Sequence, residues 1–513
     1  MNLYDYLLAN AKKENLAIIS RKEQVTYEEL ISSVENIAFV LRQFGVQEGE
    51  RVGILAENSA FWVASYLGIL KVGAIATPFP SRLTLEQCHT LIEMVQCSAF
   101  CGDQALFSKY AAAIPAQSKM VTAHKNIAKV PSQVYEILQP GINGNSPTTS
   151  IMKHEGLAAL MFTSGSTGQP NAVKISHHNI IANTESIIAY LDLKSDDRML
   201  VVLPFDYCFG ASLLHTHLRM GGTLVINNSF LYIEDVIHDL ERYECTGFAG
   251  VPTIYQHLLR RSSFFHHTFP HLRHVQQAGG KLANVFIREF LAHIPQVQFF
   301  VMYGQTEATA RLSYLQPERL SDKIGSIGRG IPGVTLQVLD QGGNPVIPGE
   351  EGEIVAKGEN IASGYWIPDP VKQNFRCGKL YTGDLATVDE DGFIYLTGRS
   401  SDFIKPRGHR ISCKEIEDVL VEMPEVVEVA VVGIPSLEQG EAPKAYIVTK
   451  DGQRISAEQV VDYCRGKLPS YAIPHEVEFL SDLPKNSAKK ILKKLLVTLQ
   501  DCSPQRGSPR FES

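Results

Sequence analysis

Residues 156–168 read Gly-Leu-Ala-Ala-Leu-Met-Phe-Thr-Ser-Gly-Ser-Thr-Gly, an apolar run that leads directly into a loop of small hydroxyl residues and glycines. The apolar run at 156–162 predicts a buried strand. In the loop, glycines let the backbone approach an anion, while hydroxyl and N–H groups donate to phosphate oxygens. No lysine follows the second glycine and the G-x-S-x-G order is absent, which excludes a Walker-type P-loop and a hydrolase turn. The pattern predicts a phosphate-binding loop, with a flexible surface loop as the alternative.

Outward from this loop, short apolar strands alternate with helices. Residues 26–42 begin with an N-cap threonine and continue as an amphipathic helix, and residues 59–72 predict a nearly all-apolar, buried helix. A further helix is expected to begin near His177. Strands are expected at residues 51–56, 73–78, 199–203, 222–226, 246–251 and 298–302. This alternation predicts an α/β fold with parallel-rich sheets covered by helices.

The chain is expected to divide into two domains near residues 398–401. Before this point, residues 325–396 show short strands separated by turn dipeptides, which predicts a β-rich subregion. After it, the pattern predicts a small α+β unit. We therefore expect an N-terminal core at residues 1–398 and a mobile C-terminal domain at residues 399–513. The polar stretch 125–150 predicts a surface connection, and the tail is expected to be disordered from about residue 502.

The composition excludes several classes of protein. The net charge of the 513 residues is -7, without long single-sign blocks, so no nucleic-acid partner is expected. Nine cysteines without a C-x-x-C pair or zinc-ligand spacing fit a reducing compartment. The N-terminus lacks signal-peptide features and the apolar runs are of strand length. We therefore expect a cytoplasmic protein without a membrane span.

Four further motifs follow the phosphate loop. They are Tyr-Gly-Gln-Thr-Glu-Ala at 303–308, Tyr-Thr-Gly-Asp at 381–384, a hinge and thiolation segment at 398–417, and a lysine-containing segment at 483–491. With the loop, they resemble in order and over essentially the whole chain the motifs of the adenylate-forming superfamily. That superfamily includes acyl-CoA synthetases, amino-acid adenylation domains and luciferases. The resemblance implies an enzyme that uses ATP and Mg2+ to convert a carboxylic acid into its acyl-adenylate, with release of pyrophosphate.

The resemblance implies which residues bind the phosphates. The loop would hold the β- and γ-phosphates, and Thr306 would donate to the α-phosphate. Glu307 would ligate Mg2+, a hard cation suited to carboxylate and phosphate oxygens, with a solvated loop carboxylate as the alternative. The loop residues are Thr163, Ser164, Gly165, Ser166, Thr167 and Gly168.

The resemblance also implies the adenosine site. The ring of Tyr303 would pack on adenine, Asp384 would accept both ribose hydroxyls, and Arg399 would complete the ribose site. The alternatives are a core aromatic at Tyr303 and a structural ion pair at Asp384 and Arg399. The remaining residues expected to bind ATP are Gly279, Gly280, Lys281, Gly304 and Gln305.

Lys490 matches the catalytic lysine of the superfamily. Its ammonium would bridge the substrate carboxylate and the α-phosphate and stabilise the developing charge. The superfamily has a glycine where Lys489 stands, so Lys489 is an alternative candidate for this role. A merely solvated basic helix at residues 489–494 is the other alternative.

Two departures from the superfamily pattern concern the phosphate loop and the hinge. Asn171-Ala172 stand where Lys-Gly is usual, so one positive charge near pyrophosphate is missing. Lys174 is our candidate for partly replacing that charge. At the hinge, Ser401 stands where Asp or Lys is common.

The acyl pocket is expected from the segment after the predicted strand at 199–203. Phe205-Asp206 resembles the amino-acid adenylation motif, in which the aspartate binds the substrate ammonium. The flanking Leu203-Pro204 and Gly210 align instead with acyl- and aryl-CoA ligases, which place His where Tyr207 stands. The predicted pocket residues are Asp206, Tyr207, Cys208, Phe209, Gly210 and Met302. The aromatic side chains make a small or flat acid plausible, with core packing as the alternative.

After adenylation, the resemblance implies transfer to the thiol of CoA or of the phosphopantetheine on a separate acyl or peptidyl carrier protein. Lys405, Arg407 and Gly408 would form the thiolation surface. The nearest alternative is a stand-alone enzyme that activates a small amino acid such as proline and loads a separate carrier in secondary-metabolite biosynthesis. A non-catalytic relative and a luciferase-like oxygenase are the remaining alternatives.

Overall fold

The computed structural model describes residues 2–122, 134–136, 156–163, 171–228, 232–368, 374–399, 402–436, 439–486 and 489–501. Most of the phosphate loop, at residues 164–170, lies outside these ranges. So do most of the polar stretch 125–150, Ser401 and the expected tail from residue 502.

The first sheet carries the strand that leads into the phosphate loop. Its strands are β3 (Arg51–Leu55), β4 (Ile75–Pro78), β5 (Ala99–Gly102), β6 (Lys119–Thr122), β7 (Val134–Glu136), β8 (Leu157–Thr163) and β9 (Asn171–Ser176), numbered along the chain. The spatial order in the described residues is β7-β6-β5-β3-β4-β8-β9. Neighbours are parallel except β8 and β9, which pair antiparallel. The phosphate loop therefore connects the two strands of an edge hairpin.

The second sheet leads into the motif at residues 303–308, called the nucleotide motif below. Its strands are β1 (Leu16–Ile19), β2 (Gln24–Thr26), β10 (Arg198–Val201), β11 (Thr223–Ile226), β12 (Gly247–Gly250), β13 (His274–Gln277), β14 (Gln298–Tyr303), β15 (Ser313–Leu315) and β16 (Arg329–Gly330). Their order is β16-β15-β14-β13-β12-β10-β11-β1-β2, and only the pairs involving β2, β15 and β16 are antiparallel. Residues 303–308 thus lie at the carboxyl end of a parallel strand, where ligands of α/β sheets bind.

Ten helices lie in the described N-terminal part. They are α1 (Leu3–Leu7), α2 (Tyr27–Gln43), α3 (Ala60–Lys71), α4 (Leu85–Val95), α5 (Gln104–Lys109), α6 (His177–Leu191), α7 (Cys208–Met220), α8 (Ile233–Arg242), α9 (Pro252–Arg260) and α10 (Asn284–His293). Thr26 caps α2 in a reciprocal capping box with Glu29, which satisfies two backbone N–H groups. Residues 62–70 of α3 are all buried, as its apolar sequence predicts.

A third, antiparallel sheet forms the β-rich subregion. Its strands are β17 (Val334–Leu339), β18 (Glu351–Gly358), β19 (Phe375–Arg376), β20 (Lys379–Val388) and β21 (Ile394–Arg399). The register of β20 and β21 places Asp384 directly opposite Arg399. Two predicted ribose residues are therefore cross-strand neighbours.

The C-terminal part contains two small sheets and three helices in its described residues. The elements are β22 (Phe403–Ile404), β23 (Ile411–Ser412), α11 (Cys413–Leu420), β24 (Val426–Ser436), β25 (Gly440–Thr449), α12 (Ala457–Arg465), β26 (Glu476–Phe479) and α13 (Lys493–Asp501). Strand β24 pairs antiparallel with β25, and β25 pairs parallel with β26.

Ion pairs join this part to the rest of the chain. Lys281 lies 2.9 Å from Asp418, and Arg410 lies 2.6 Å from Glu351. Glu428, which is fully buried, lies 2.9 Å from His257. Because Glu428 also lies 2.8 Å from Lys485, the lysine-containing segment is tied into the same contact.

The fold class and most predicted elements are confirmed. Strand β9 was not predicted, because its alternating sequence at 171–176 is short and follows the loop without an apolar run. The predicted alternative of a basic helix over 489–494 is wrong for its first residues, since α13 begins only at Lys493.

Candidate active site

Tyr303, Asp384 and Arg399 form one hydrogen-bonded group. The buried Tyr303 hydroxyl donates to Asp384 Oδ2 at 2.6 Å, and Arg399 Nε donates to Asp384 Oδ1 at 2.7 Å. Burial and the neighbouring Asp384 raise the pKa of Tyr303 well above its ordinary value, so the phenol stays neutral. Each carboxylate oxygen keeps one lone pair, so Asp384 has two acceptor positions left for ribose hydroxyls.

Thr306 and Glu307 lie in the short turn Thr306–Ala308, three residues after Tyr303 in the chain. The buried Thr306 hydroxyl donates to Cys208 Sγ at 3.6 Å, which connects the nucleotide motif to the predicted acyl segment. The turn depends on Gly304, because a Cβ there would lie 1.9 Å from the carbonyl oxygen of Ala310. Gln305 precedes the turn, and its Nε2 is buried without a hydrogen-bond partner.

Glu307 fits the role of a Mg2+ ligand through a single carboxylate. Its Oε1 accepts a hydrogen bond of 2.8 Å from the hydroxyl of Tyr365, a residue that sequence reasoning missed. No group of three or more His, Cys, Asp or Glu side chains in the described ranges could hold a metal ion. Mg2+ is commonly bound through one or two carboxylates and substrate phosphates, and Glu307 offers such a carboxylate oriented by Tyr365.

Lys490, rather than Lys489, faces the predicted acyl segment. Its Nζ lies 5.3 Å from the centre of the Tyr207 ring, and a Cβ on Gly279 would lie 3.5 Å from its Cε. Burial lowers the pKa of Lys490, but Tyr207 and Cys208 outweigh that effect and raise it overall. The side chain is therefore an ammonium at neutral pH.

Lys489 occupies a position that favours glycine. Its φ of 63° lies in the left-handed region, where glycine has no steric penalty. Its carbonyl accepts a hydrogen bond of 3.1 Å from the hydroxyl of Thr253, which fixes the backbone beside Lys490. The conformation gives a physical reason for the glycine that the superfamily has at this position.

The phosphate loop is described only at its ends. Thr163 ends β8 opposite Asn171, and its hydroxyl donates to the Asn171 carbonyl at 3.4 Å. The predicted residues Ser164, Gly165, Ser166, Thr167 and Gly168 lie outside the described ranges. The Asn171 side chain donates to the carbonyl of Ile367, so it links the β8–β9 hairpin to the segment around residue 367. Lys174 lies three residues further from the loop, or about 10 Å along the strand.

The segment 279–281 lies between the nucleotide motif and the C-terminal part. Gly279 has a φ of 86°, and a Cβ there would approach Val251 Cγ1 to 2.8 Å. The Gly280 carbonyl accepts from Gln277 Nε2 at 2.7 Å. Since Lys281 pairs with Asp418, its side chain is engaged with the C-terminal part.

The predicted acyl segment surrounds the start of α7. Gly210 is required there, since a Cβ would lie 2.1 Å from the Pro204 carbonyl oxygen. Of the six predicted pocket residues only Cys208 lines a cavity, together with Ser212; Asp206, Tyr207, Phe209, Gly210 and Met302 do not line it. The Asp206 carboxylate is buried against the Ser81 backbone, and burial raises its pKa to about 7.

Arg311 is a second residue that sequence reasoning missed. It lies four positions after Glu307 and is only 1% exposed. Its guanidinium stacks 4.1 Å from the Phe209 ring centre, and its Nε donates to Met302 Sδ at 3.3 Å. The available sequence signal was an arginine that directly follows the small residues Ala308-Thr309-Ala310.

The thiolation residues lie elsewhere. Lys405 and Arg407 are exposed; Lys405 precedes the turn Pro406–Gly408 and Arg407 is its central residue. The backbone N–H of Lys405 donates to Glu441, and that of Arg407 donates to the carbonyl of Gln439. Both partners belong to the C-terminal part. The structure therefore brings Lys490 to Tyr207 of the acyl segment, whereas Lys405 and Arg407 make these hydrogen bonds within the C-terminal part.

Comparison with known families decides the identity. Residues 8–366 match the family described as AMP-binding enzyme, and residues 415–490 match the AMP-binding enzyme C-terminal domain. The chain belongs to the AMP-binding enzyme family. The adenylate-forming superfamily and the AMP-forming ligase class predicted from the motifs are thereby confirmed.

Similar proteins of this family are named as CoA ligases. The chain is 30% identical over 477 residues to a feruloyl-CoA synthase from Amycolatopsis, covering 91% of this chain and 92% of the relative. A crystal structure of an anthranilate CoA ligase with anthranoyl-AMP superposes with a TM-score of 0.88 at 26% identity, covering 97% of both chains. The o-succinylbenzoate CoA synthetase of Bacillus subtilis, with its acyl-adenylate intermediate, gives 0.83 at 26% identity and 99% coverage of both chains.

One absence concerns membranes. Across the described part of this AMP-binding enzyme, no helix combines the length and apolar character needed to cross a bilayer.

Proposed function

We propose that this enzyme activates a carboxylic acid with ATP and transfers the acyl group to the thiol of CoA. The observation that carries the proposal is the position of Lys490. Its ammonium lies against Tyr207, next to Cys208 and hence to the Thr306 turn. Residues from the C-terminal part, the acyl segment and the nucleotide motif thus meet where a carboxylate and an α-phosphate would react.

In the first step, a carboxylate oxygen of the acid attacks the α-phosphorus and pyrophosphate leaves. Lys490 stabilises the negative charge that develops on the bridging oxygens, and the Thr306 hydroxyl donates to the α-phosphate. Such preorganised donors supply most of the catalysis in reactions of this kind. Glu307 would hold Mg2+, and the bound ion would neutralise phosphate charge. Tyr303, Asp384 and Arg399 fix the adenosine, so the α-phosphate is presented at a constant distance from Lys490.

In the second step, the thiol attacks the carbonyl of the adenylate and AMP leaves. In this structure Lys405 and Arg407 make backbone hydrogen bonds within the C-terminal part, whereas Lys490 lies at Tyr207, which supports assigning this arrangement to adenylate formation. We propose that the C-terminal domain, from residue 399, rotates to bring the surface of Lys405, Arg407 and Gly408 to the adenylate. The relatives named for CoA support CoA as acceptor, and a carrier-bound phosphopantetheine is the competing outcome of the test below.

The amino-acid alternative is disfavoured by the position of Asp206. An aspartate that binds a substrate ammonium must reach the acid, but the Asp206 carboxylate is buried and accepts a hydrogen bond from the backbone of Ser81. Phe209 and Met302, two of the predicted pocket residues, both contact Arg311, and their bulk supports a compact or flat acid.

ATP–pyrophosphate exchange tests the activation step. We expect exchange with at least one acid from a panel of aryl, short-chain, fatty and amino acids. Lys490→Ala should lower that rate on the order of 100- to 1000-fold, because one transition-state donor is lost. The matched variant Lys489→Ala should retain most of the rate.

If none of the acids in the panel supported exchange, or if the two lysine variants lost the same fraction of the rate, the proposal would be contradicted. Intact-mass detection of a thioester on CoA or on an added carrier protein then identifies the acceptor. A thioester found only on the carrier would overturn CoA as the acceptor.

A further inference from the structure

We propose that Arg311 binds a second anionic group on the acid, so that the enzyme selects dicarboxylic acids over matched monocarboxylic acids; this inference rests on the proposed acid activation. The juxtaposition that supports it is a fully buried guanidinium, without an acidic partner, placed among the residues of the acyl segment.

The guanidinium of Arg311 has only neutral partners. It donates to Ser212 Oγ at 3.1 Å, to Gln276 Oε1 at 3.1 Å and to Met302 Sδ at 3.3 Å, and it also hydrogen-bonds the Tyr190 hydroxyl. Its flat face lies on the ring of Phe209. No carboxylate of the described residues lies within 4.0 Å of it, whereas most buried arginines are paired with an acid.

A buried charge without a counter-charge is unfavourable unless something else offsets the lost hydration. Burial accordingly lowers the pKa of Arg311, although an arginine side chain remains charged at neutral pH. A guanidinium has five N–H donors, and four acceptors, including the Tyr190 hydroxyl, are found in the chain. The position therefore has unused donor capacity as well as unbalanced charge.

A second unused donor lies beside it. Gln276 uses its Oε1 to accept from Arg311, and its Nε2 is buried without a hydrogen-bond partner. An anionic carboxylate accepts through two oxygens, which matches a guanidinium and an adjacent amide N–H. Aromatic or aliphatic carbon between the two carboxylates would lie against Phe209.

The location connects this donor pair to the reaction. On α7, Phe209 directly follows Cys208 and Ser212 lies one turn after it, and Cys208 touches Thr306. Met302 immediately precedes Tyr303 on β14. An acid whose first carboxylate lies between Thr306 and Lys490 would have its far end beside Ser212, which lines the cavity with Cys208 and accepts a hydrogen bond from Arg311.

The alternative is that Arg311 acts only through its bulk and that its charge has no role. This alternative makes a different prediction. If Arg311 only fills space, Arg311→Met should leave the choice between acids unchanged. If the charge of Arg311 selects the acid, Arg311→Met should lose the preference for diacids. Arg311→Lys, which keeps a positive charge, should retain part of that preference.

The test is ATP–pyrophosphate exchange with matched pairs, namely succinate against butyrate and benzene-1,3-dicarboxylate against benzoate. In the unaltered enzyme we expect kcat/KM for the better diacid to exceed that for its monoacid on the order of 100-fold. Arg311→Met should remove this preference by lowering the diacid rate about 100-fold while the monoacid rate is unchanged or higher. Thermal unfolding should show the variant to be at least as stable, since a buried unpaired charge is removed.

The outcomes are separable. A monoacid preference in the unaltered enzyme, or an Arg311→Met variant that loses both acids equally, would overturn the inference. Should Arg311→Met not fold, Gln276→Met and Arg311→Lys give the same comparison, and an unchanged diacid preference in both would also overturn it. Absence of exchange with every acid in the unaltered enzyme would instead contradict the proposed function itself.

Discussion

The nucleotide side and the acyl side of the site adjoin at the same turn but treat charge differently. On the nucleotide side, Asp384 is paired with Arg399 and hydrogen-bonded to Tyr303. On the acyl side, neither Asp206 nor Arg311 has an opposite charge within 4.0 Å among the described residues. A charge that the chain pairs internally is held in place before ATP arrives. A buried charge that the chain leaves unpaired destabilises the empty protein, and a ligand can relieve it.

The largest expected effect is on the pH dependence of stability through Asp206. Burial raises its pKa from 3.8 to about 7, so the folded protein holds a proton that the unfolded chain releases between these values. The free energy of unfolding should therefore fall by up to about 4 kcal/mol as the pH rises from 4 to 7, and stay level above 7. Asp206→Asn should abolish this fall, as measured by urea unfolding at several pH values.

A buried but paired aspartate provides the control for that experiment. Burial alone would raise the pKa of Asp197, but hydrogen bonds from Arg273 and Thr246 lower it overall. Asp197 therefore stabilises the fold above its ordinary pKa, and this contribution is lost as the pH falls. Asp197→Asn should destabilise the protein at neutral pH. If Asp206→Asn also destabilises the protein at neutral pH, the proposed contrast between paired and unpaired buried charges is wrong.

An intermediate effect is expected from Asp384→Asn on the nucleotide side. The substitution removes a charge-assisted acceptor from both Tyr303 and Arg399, so the free energy of unfolding should fall by about 2 kcal/mol. The KM for ATP should rise on the order of 10- to 100-fold, while the choice between acids stays unchanged. Exposed Asp322, paired with Arg319, supplies the control, and its Asn variant should change neither quantity. A shift in acid preference in Asp384→Asn would show that the two sides are coupled.

The sequence predicts the nucleotide side better than the acyl side for a physical reason. ATP imposes the same donors and acceptors on any such site, so Tyr303, Asp384 and Arg399 stand in short motifs, and the structure places them in contact. The partners of Arg311 come from four separate elements, namely Tyr190 on α6, Ser212 on α7, Gln276 on β13 and Met302 on β14. No local pattern announces that they will meet.

The same reasoning applies to Glu307 and to the fold. Its partner Tyr365 lies 58 residues away and follows no motif, although it orients the carboxylate. Helices α2 and α3 were predictable because caps and apolar periodicity are local signals. The domain boundary and the roles of the site residues remain predictions, since they depend on a motion and on ligands.

The smallest expected effect concerns Lys489, where the two sides meet the C-terminal part. Its left-handed φ of 63° strains any residue with a Cβ, and burial, Arg82 and Lys485 lower the pKa of its ammonium. Lys489→Ala removes the charge but keeps the strain, whereas Lys489→Gly removes both. Glycine should therefore be more stable than alanine here by about 1 kcal/mol in urea unfolding, with the exchange rate retained. An alanine variant as stable as the glycine variant would mean that this backbone conformation is not maintained in solution, and that Lys490 is positioned by Tyr207 rather than by the chain before it.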